Sequence, residues 1–170
     1  MAGYPDCRDL TAYNQAILRV DEVFGRRSHR LQKVRELARK IRTGIDAISP
    51  FIQRSAGVIC PLCENVCCIS KHGYFNYEDI IYLSALELKP PALEFGRNDN
   101  DPCRFLTETG CSMERSVRPS GCNWYFCDPL LDLMETDPAY RQFDDALQDV
   151  AHLWMEMVEE FGGVPAIRDT

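Results

Sequence analysis

The chain has 170 residues, 45% of them hydrophobic, and carries 26 acidic against 19 basic side chains for a formal net charge of -7. That length suits one domain with a core of its own, and the apolar content excludes disorder along the whole chain. The acidic balance weighs against nucleic acid as a partner, because a phosphate-binding surface needs a basic face. No basic start leads into an apolar stretch and no apolar run reaches about 18 residues, so neither a secretory signal nor a membrane span is read. The expectation is a cytoplasmic protein in a reducing compartment.

From the N-terminus, Leu10, Tyr13, Ile17, Val20 and Phe24 recur at steps of three and four, which places them on one face of a helix. The pattern resumes at Leu31, Val34, Ala38, Ile41, Ile45 and Ile48, with Arg27 interrupting the stripe. An antiparallel helix pair bending near Gly25 is the preferred reading and one long helix the alternative, since glycine weakens a helix without forcing a stop. Ser49-Pro50 is expected to end the second helix. Between Arg19 and Arg42 the sequence is rich in arginine and lysine, which reads either as a solvated helix face or as a surface for an acidic protein partner or RNA.

A shorter helix is expected after Asn76, a good N-cap with Asp79 three positions on, and Pro90-Pro91 closes that segment. From Gly96 to Pro119 the glycines, asparagines and prolines read as loop. The last helix is capped by Asp137 with Pro138 in its first turn, and Gly162-Gly163 stops it. Its stripe of Tyr140, Phe143, Leu147, Val150, Trp154, Met157 and Phe161 faces a core shared with the N-terminal helices. The acidic residues on its other side, among them Glu156 and Glu160, face the basic run. The expected fold is mainly α, a small helical bundle with an irregular cysteine-rich metal-binding segment. It is read as a single domain over 1–170, with an N-terminal helical region (8–49), a cysteine-rich core (60–127) and a C-terminal helix (138–161).

Eight of the nine cysteines fall in the central stretch: Cys60, Cys63, Cys67, Cys68, Cys103, Cys111, Cys122 and Cys127, with Cys7 apart. In a reducing compartment disulfides are disfavoured, so the clustering points to metal ligation. Were Cys60 to Cys67 helical, three thiols would lie within about 60° of one another at 100° per residue, and Cys68 would point away. Pro61 in the first turn would leave Cys60 near a helix N-terminus, which favours its thiolate. A downstream cysteine completes such a site, with Cys122 the first choice because Pro119 and Gly121 can turn the chain inward. Eight thiols also allow two sites, with Cys68 facing the second. Four thiolates suit zinc, iron or an iron–sulfur cluster. Lys71, Arg104, Arg115 and Arg118 lie near these ligands in sequence and are placed either to offset their charge or to solubilise the surface. His72 is a weaker ligand candidate. The aromatic residues Tyr74, Phe75, Tyr77, Trp124, Tyr125 and Phe126 either cover the site or fill core.

The run Cys60-x-x-Cys63 leading to Cys67-Cys68, then Cys103-Arg104-Phe105-Leu106, Cys111, Arg118-Pro119, Cys122 and Cys127, resembles the zinc- or iron-chelating YkgJ-like family, named for its CxxCxxCC motif. The first run departs from that motif by placing three residues between Cys63 and Cys67. The resemblance implies a metal-binding domain. Some proteins with similar clusters look like modification enzymes with an iron–sulfur centre. No phosphate loop, dinucleotide glycine motif or His-Glu-x-x-His accompanies the cysteines. The expected function is therefore transition-metal binding in a structural, sequestering or interaction role. The alternative is an iron–sulfur electron-transfer or protein-modification component.

Overall fold

The computed structural model describes residues 7, 9–26, 28–63, 68, 73–92, 101–108 and 110–164. Six α-helices and one two-stranded hairpin make up the regular structure of these residues. They are α1 (Leu10–Phe24), α2 (His29–Ile59), α3 (Tyr77–Ala85), β1 (Leu106–Thr107), β2 (Gly110–Cys111), α4 (Gly121–Trp124), α5 (Asp128–Glu135) and α6 (Tyr140–Gly162). The chain is mainly α, as its periodicities imply. No helix among the described residues is long and apolar enough to cross a membrane.

Two compact units divide the chain. One comprises Met1–Ile41, Tyr74–Gly96 and His152–Thr170, the other Arg42–Gly73 and Arg97–Ala151. In the first, α1 packs with α3. Tyr13, Ala16 and Val20 of α1 are buried, as are Leu31, Val34, Ala38 and Ile41 of α2. Phe75 and the run Ile80 to Leu83 are buried as well, so these aromatic and aliphatic side chains fill core. Trp154 of α6 lies 5.0 Å from Tyr82 between ring centroids, and its Nε1–H donates to Glu78 at 3.1 Å. The expected meeting of opposite charges occurs here: Lys33 pairs with Glu156 and Glu160 at 2.8 Å each, and Arg30 with Glu160 at 3.4 Å. These contacts are exposed and serve register more than stability.

α3 begins on the capping box that its sequence implies, Asn76 and Asp79 each accepting from the other's backbone N–H. It ends before the prolines. Glu87 takes a left-handed φ of 60°, with the Leu88 N–H donating to Leu83 and the Glu87 N–H to Ser84. That hydrogen-bonded stop usually uses glycine, so nothing in the sequence marked it.

The second unit is built on Ile48, Phe51 and Ile52 of α2, Leu130 and Met134 of α5, and Phe143 of α6. Phe51 and Phe143 stack at 4.5 Å, and Phe126 meets Phe143 edge-on at 5.9 Å. Two expectations are corrected here. The second helix does not stop at Ser49-Pro50: α2 runs through Pro50 to Ile59. An interior proline removes one helix hydrogen bond and costs on the order of 3 kcal/mol. Pro50 is exposed, so the carbonyl it leaves unpaired can reach water. Burial of Phe51 and Ile52 just beyond it offsets the loss, at about 1.5–3 kcal/mol for each side chain. The second correction is α5, an eight-residue helix in a stretch where no element was expected. The break near Gly25 is real, with Gly25 capping α1 before α2 starts at His29. The last helix starts later than expected, at Tyr140, so Asp137 and Pro138 lie in the turn ahead of it, where the Asp137 carboxylate accepts from the Ala139 N–H at 2.8 Å.

Replacing Pro50 by Ala restores the missing hydrogen bond without touching the core. The variant is expected to gain about 1–2 kcal/mol in chemical denaturation. A loss of stability would show that α2 does not continue through this position.

Candidate metal centre

All the described central cysteines belong to the second unit. Cys60 follows the last residue of α2 and opens a short 3-10 turn, Cys60–Leu62, whose exit residue Cys63 is extended. The Cys63 N–H donates to the Cys60 carbonyl at 3.2 Å. The helical turn expected from Cys60 onward is confined to this 3-10 turn, with Pro61 in its first positions, and Cys60 directly follows α2. Cys67, His72 and Lys71 lie outside the described residues.

Four other cysteines are drawn into one electrostatic neighbourhood: Cys68, Cys103, Cys111 and Cys122. The Cys103 N–H donates to the Cys68 carbonyl at 2.6 Å, tying two distant parts of the chain together. Gly73 makes room for this approach, since a Cβ there would stand 2.8 Å from the Cys103 sulfur. Cys111 is carried by the hairpin, paired with Leu106 across the two strands. Gly110, just before it, has φ 113°, a backbone conformation that glycine adopts without steric cost. Cys122 enters on α4, with its N–H donating to Pro119 at 2.9 Å.

Burial pushes the Cys122 thiol up to about 12, and the neighbouring Cys103 and Cys111 add to the rise, while Arg118 and Arg115 oppose it. Burial is also the main force on Arg115, lowering it to about 10 with help from Arg118, against the pull of Cys122, Cys111 and Cys68. Arg115 donates from Nη1 to the Cys122 carbonyl at 3.2 Å. Arg118 donates from Nε to the Met113 carbonyl at 2.9 Å. Of the described basic residues near the ligands in sequence, Arg115 and Arg118 act on the thiols. Arg104 instead stacks over Phe105 at 5.1 Å, and nothing in the sequence separated it from them.

Cys127 has a different setting. It precedes α5, its carbonyl accepts from the Leu130 and Leu131 N–H groups at 2.9 Å, and it packs against the apolar cluster of Ile48, Phe51 and Phe143. Phe126 joins the same cluster, whereas Tyr125 is exposed. Cys7 is buried in the first unit. No disulfide joins any two of the described cysteines.

Thiols in a shared, partly dry neighbourhood with two guanidinium groups beside them suit a thiophilic cation by donor chemistry. Among the described residues, no three His, Cys, Asp or Glu side chains are grouped closely enough to hold one. No protein-family model, curated protein or solved structure matches the chain.

Two outcomes test this geometry. A Gly73→Ala substitution is expected to push Cys103 aside, lower stability by about 1–3 kcal/mol and speed Cys103 alkylation, read by mass spectrometry. In metal-free protein at pH 8, Cys122 is expected to alkylate at least about tenfold more slowly than in the denatured chain, because so little of it is thiolate. Its rate should climb as the pH is raised beyond 9; an ordinary thiol's rate at Cys122 would contradict the burial described.

Proposed function

We propose that the cysteine-rich segment binds a transition metal, zinc or iron, and that loading draws its thiols into a ligand set. The observation that supports this reading is a linked neighbourhood: the Cys103 N–H donates to the Cys68 carbonyl, Cys103 and Cys111 act on Cys122, and Cys122, Cys111 and Cys68 act on Arg115. They come from four separate stretches of chain. A cation bound by thiolates supplies an attraction between them, and its binding energy becomes folding energy for the segment. The cysteine order that resembles the YkgJ-like family supports the same reading. The role proposed is structural, sequestering or interaction-mediating, in a reducing compartment where thiolates persist. No acid–base set accompanies the thiols in the sequence.

The test is purification of the full chain without oxygen, followed by elemental analysis and a visible spectrum before and after reduction. Stoichiometric zinc or iron is expected, and Cys103→Ser and Cys122→Ser are expected to lower it. Zinc in a colourless protein supports the structural role. Iron with acid-labile sulfide and a reducible band moves electron transfer or protein modification ahead of it. Metal-free protein that also fails to take up zinc or iron would end the proposal.

A further inference from the structure

A second group of thiols, Cys60 and Cys63, lies on the turn after α2. Cys60 opens the 3-10 turn Cys60–Leu62, and Cys63 leaves it in extended conformation. The Cys63 N–H donates to the Cys60 carbonyl at 3.2 Å, so the chain folds back over the two residues between them. A four-residue turn holds its first and last Cα atoms within about 7 Å, and a disulfide joins Cα atoms about 4.4–6.8 Å apart. The backbone therefore holds the two cysteines within the span of one bond. Pro61 stands at the start of the turn, where its fixed φ leaves the chain fewer conformations to give up.

The turn is also accessible. Both cysteines are partly exposed, and Leu62 between them is 82% exposed, so a reactant can approach from solvent. Among the described residues, no further Cys, His, Asp or Glu joins the pair in a group able to hold an ion. Two thiols are all that a two-electron exchange with a disulfide needs.

Going beyond the metal-binding reading, which is supported by Cys68, Cys103, Cys111 and Cys122, we propose that Cys60 and Cys63 form a reversible dithiol–disulfide pair whose reaction partner is a disulfide. The sulfur of one cysteine attacks the partner and forms a mixed disulfide, while the displaced sulfur leaves as a thiol carrying the attacking group's proton. The other cysteine, held three residues away by the turn, then displaces the second sulfur, which leaves as a thiol in the same way. Cys60 and Cys63 end joined and oxidised by two electrons, and the partner ends reduced to two thiols. Disulfides in a reducing compartment are of this transient kind.

The test uses the full chain, purified without oxygen and incubated anaerobically with mixtures of reduced and oxidised glutathione, the latter being the probe disulfide. Acid-quenched samples are alkylated, digested and read by mass spectrometry, with fragmentation assigning each cysteine. Cys60 and Cys63 are expected to lose alkylation together through one midpoint, at least about tenfold more extensively than Cys127 in the same mixture. Fragments are expected to show a bond between them, and dithiothreitol to restore both thiols. In Cys60→Ser, a glutathione adduct is expected to persist on Cys63, at least about tenfold more abundant than in wild type, because no second thiol resolves it. Cys63→Ser is expected to show the same at Cys60. Equal adduct levels in wild type and both variants would overturn the assignment. So would alkylation of both cysteines unchanged in every mixture, or a main product bonding either one to another thiol. A pair that resists glutathione until a chelator removes zinc or iron would also overturn it, while leaving the metal-binding reading in place. The expected exchange in a protein that takes up neither metal would end the metal reading alone. If circular dichroism shows a variant to be misfolded, the bond assignment in wild type decides the matter.

Discussion

A thiol is easily buried, a thiolate is not, and several thiolates side by side repel one another as well. That constraint governs the second unit. Cys122 is enclosed enough for its thiol to hold its proton well past neutral pH, and Cys103 and Cys111 add to the penalty on ionising it. Positive charge must be supplied if these groups are to act together. Arg115 and Arg118 supply part of it, each anchored by a backbone carbonyl so that its charge stays near the sulfurs. A cation would supply the rest.

The surrounding structure serves to deliver the thiols. The apolar cluster of Ile48, Phe51, Ile52, Leu130, Met134 and Phe143 fixes α2, α5 and α6 within this unit. Between α2 and α5 the described residues of this unit form short devices: a hairpin of two residues per strand, two 3-10 turns and a four-residue helix. None of these is stable alone. Each nevertheless places one cysteine or one arginine. The hydrogen bond from the Cys103 N–H to the Cys68 carbonyl crosses a large sequence distance.

Much of the helical frame was legible in the residues. Stripes such as Tyr13, Val20 and Val34, Ile41 need only the helical period, and Asn76 with Asp79, or Asp137 ahead of α6, announce themselves by local chemistry. What escaped depended on tertiary packing. Pro50 looks like a stop until Phe51 and Ile52 are seen to be buried beyond it. α5 is too short to show a period, and Glu87 holds a left-handed cap where glycine would have been the signal. For the site, the sequence offered eight candidate ligands and four candidate counter-charges with no means of grouping them. Spacing pointed to a helical trio starting at Cys60, but the end of α2 places Cys60 after a helix instead of before one. The grouping of Cys68 with three downstream cysteines arises from loop geometry, which spacing does not encode.

On the proposed reading, a bound cation would order the thiol neighbourhood. Hydrogen exchange of the full chain, with and without bound zinc, tests it most directly at the Cys103 amide that donates to Cys68. The account expects that amide and those around Cys111 and Cys122 to be protected only in the loaded protein, while Phe143 and its α6 neighbours exchange equally slowly in both. Equal protection at Cys103 with and without zinc, after binding has been verified, would contradict it.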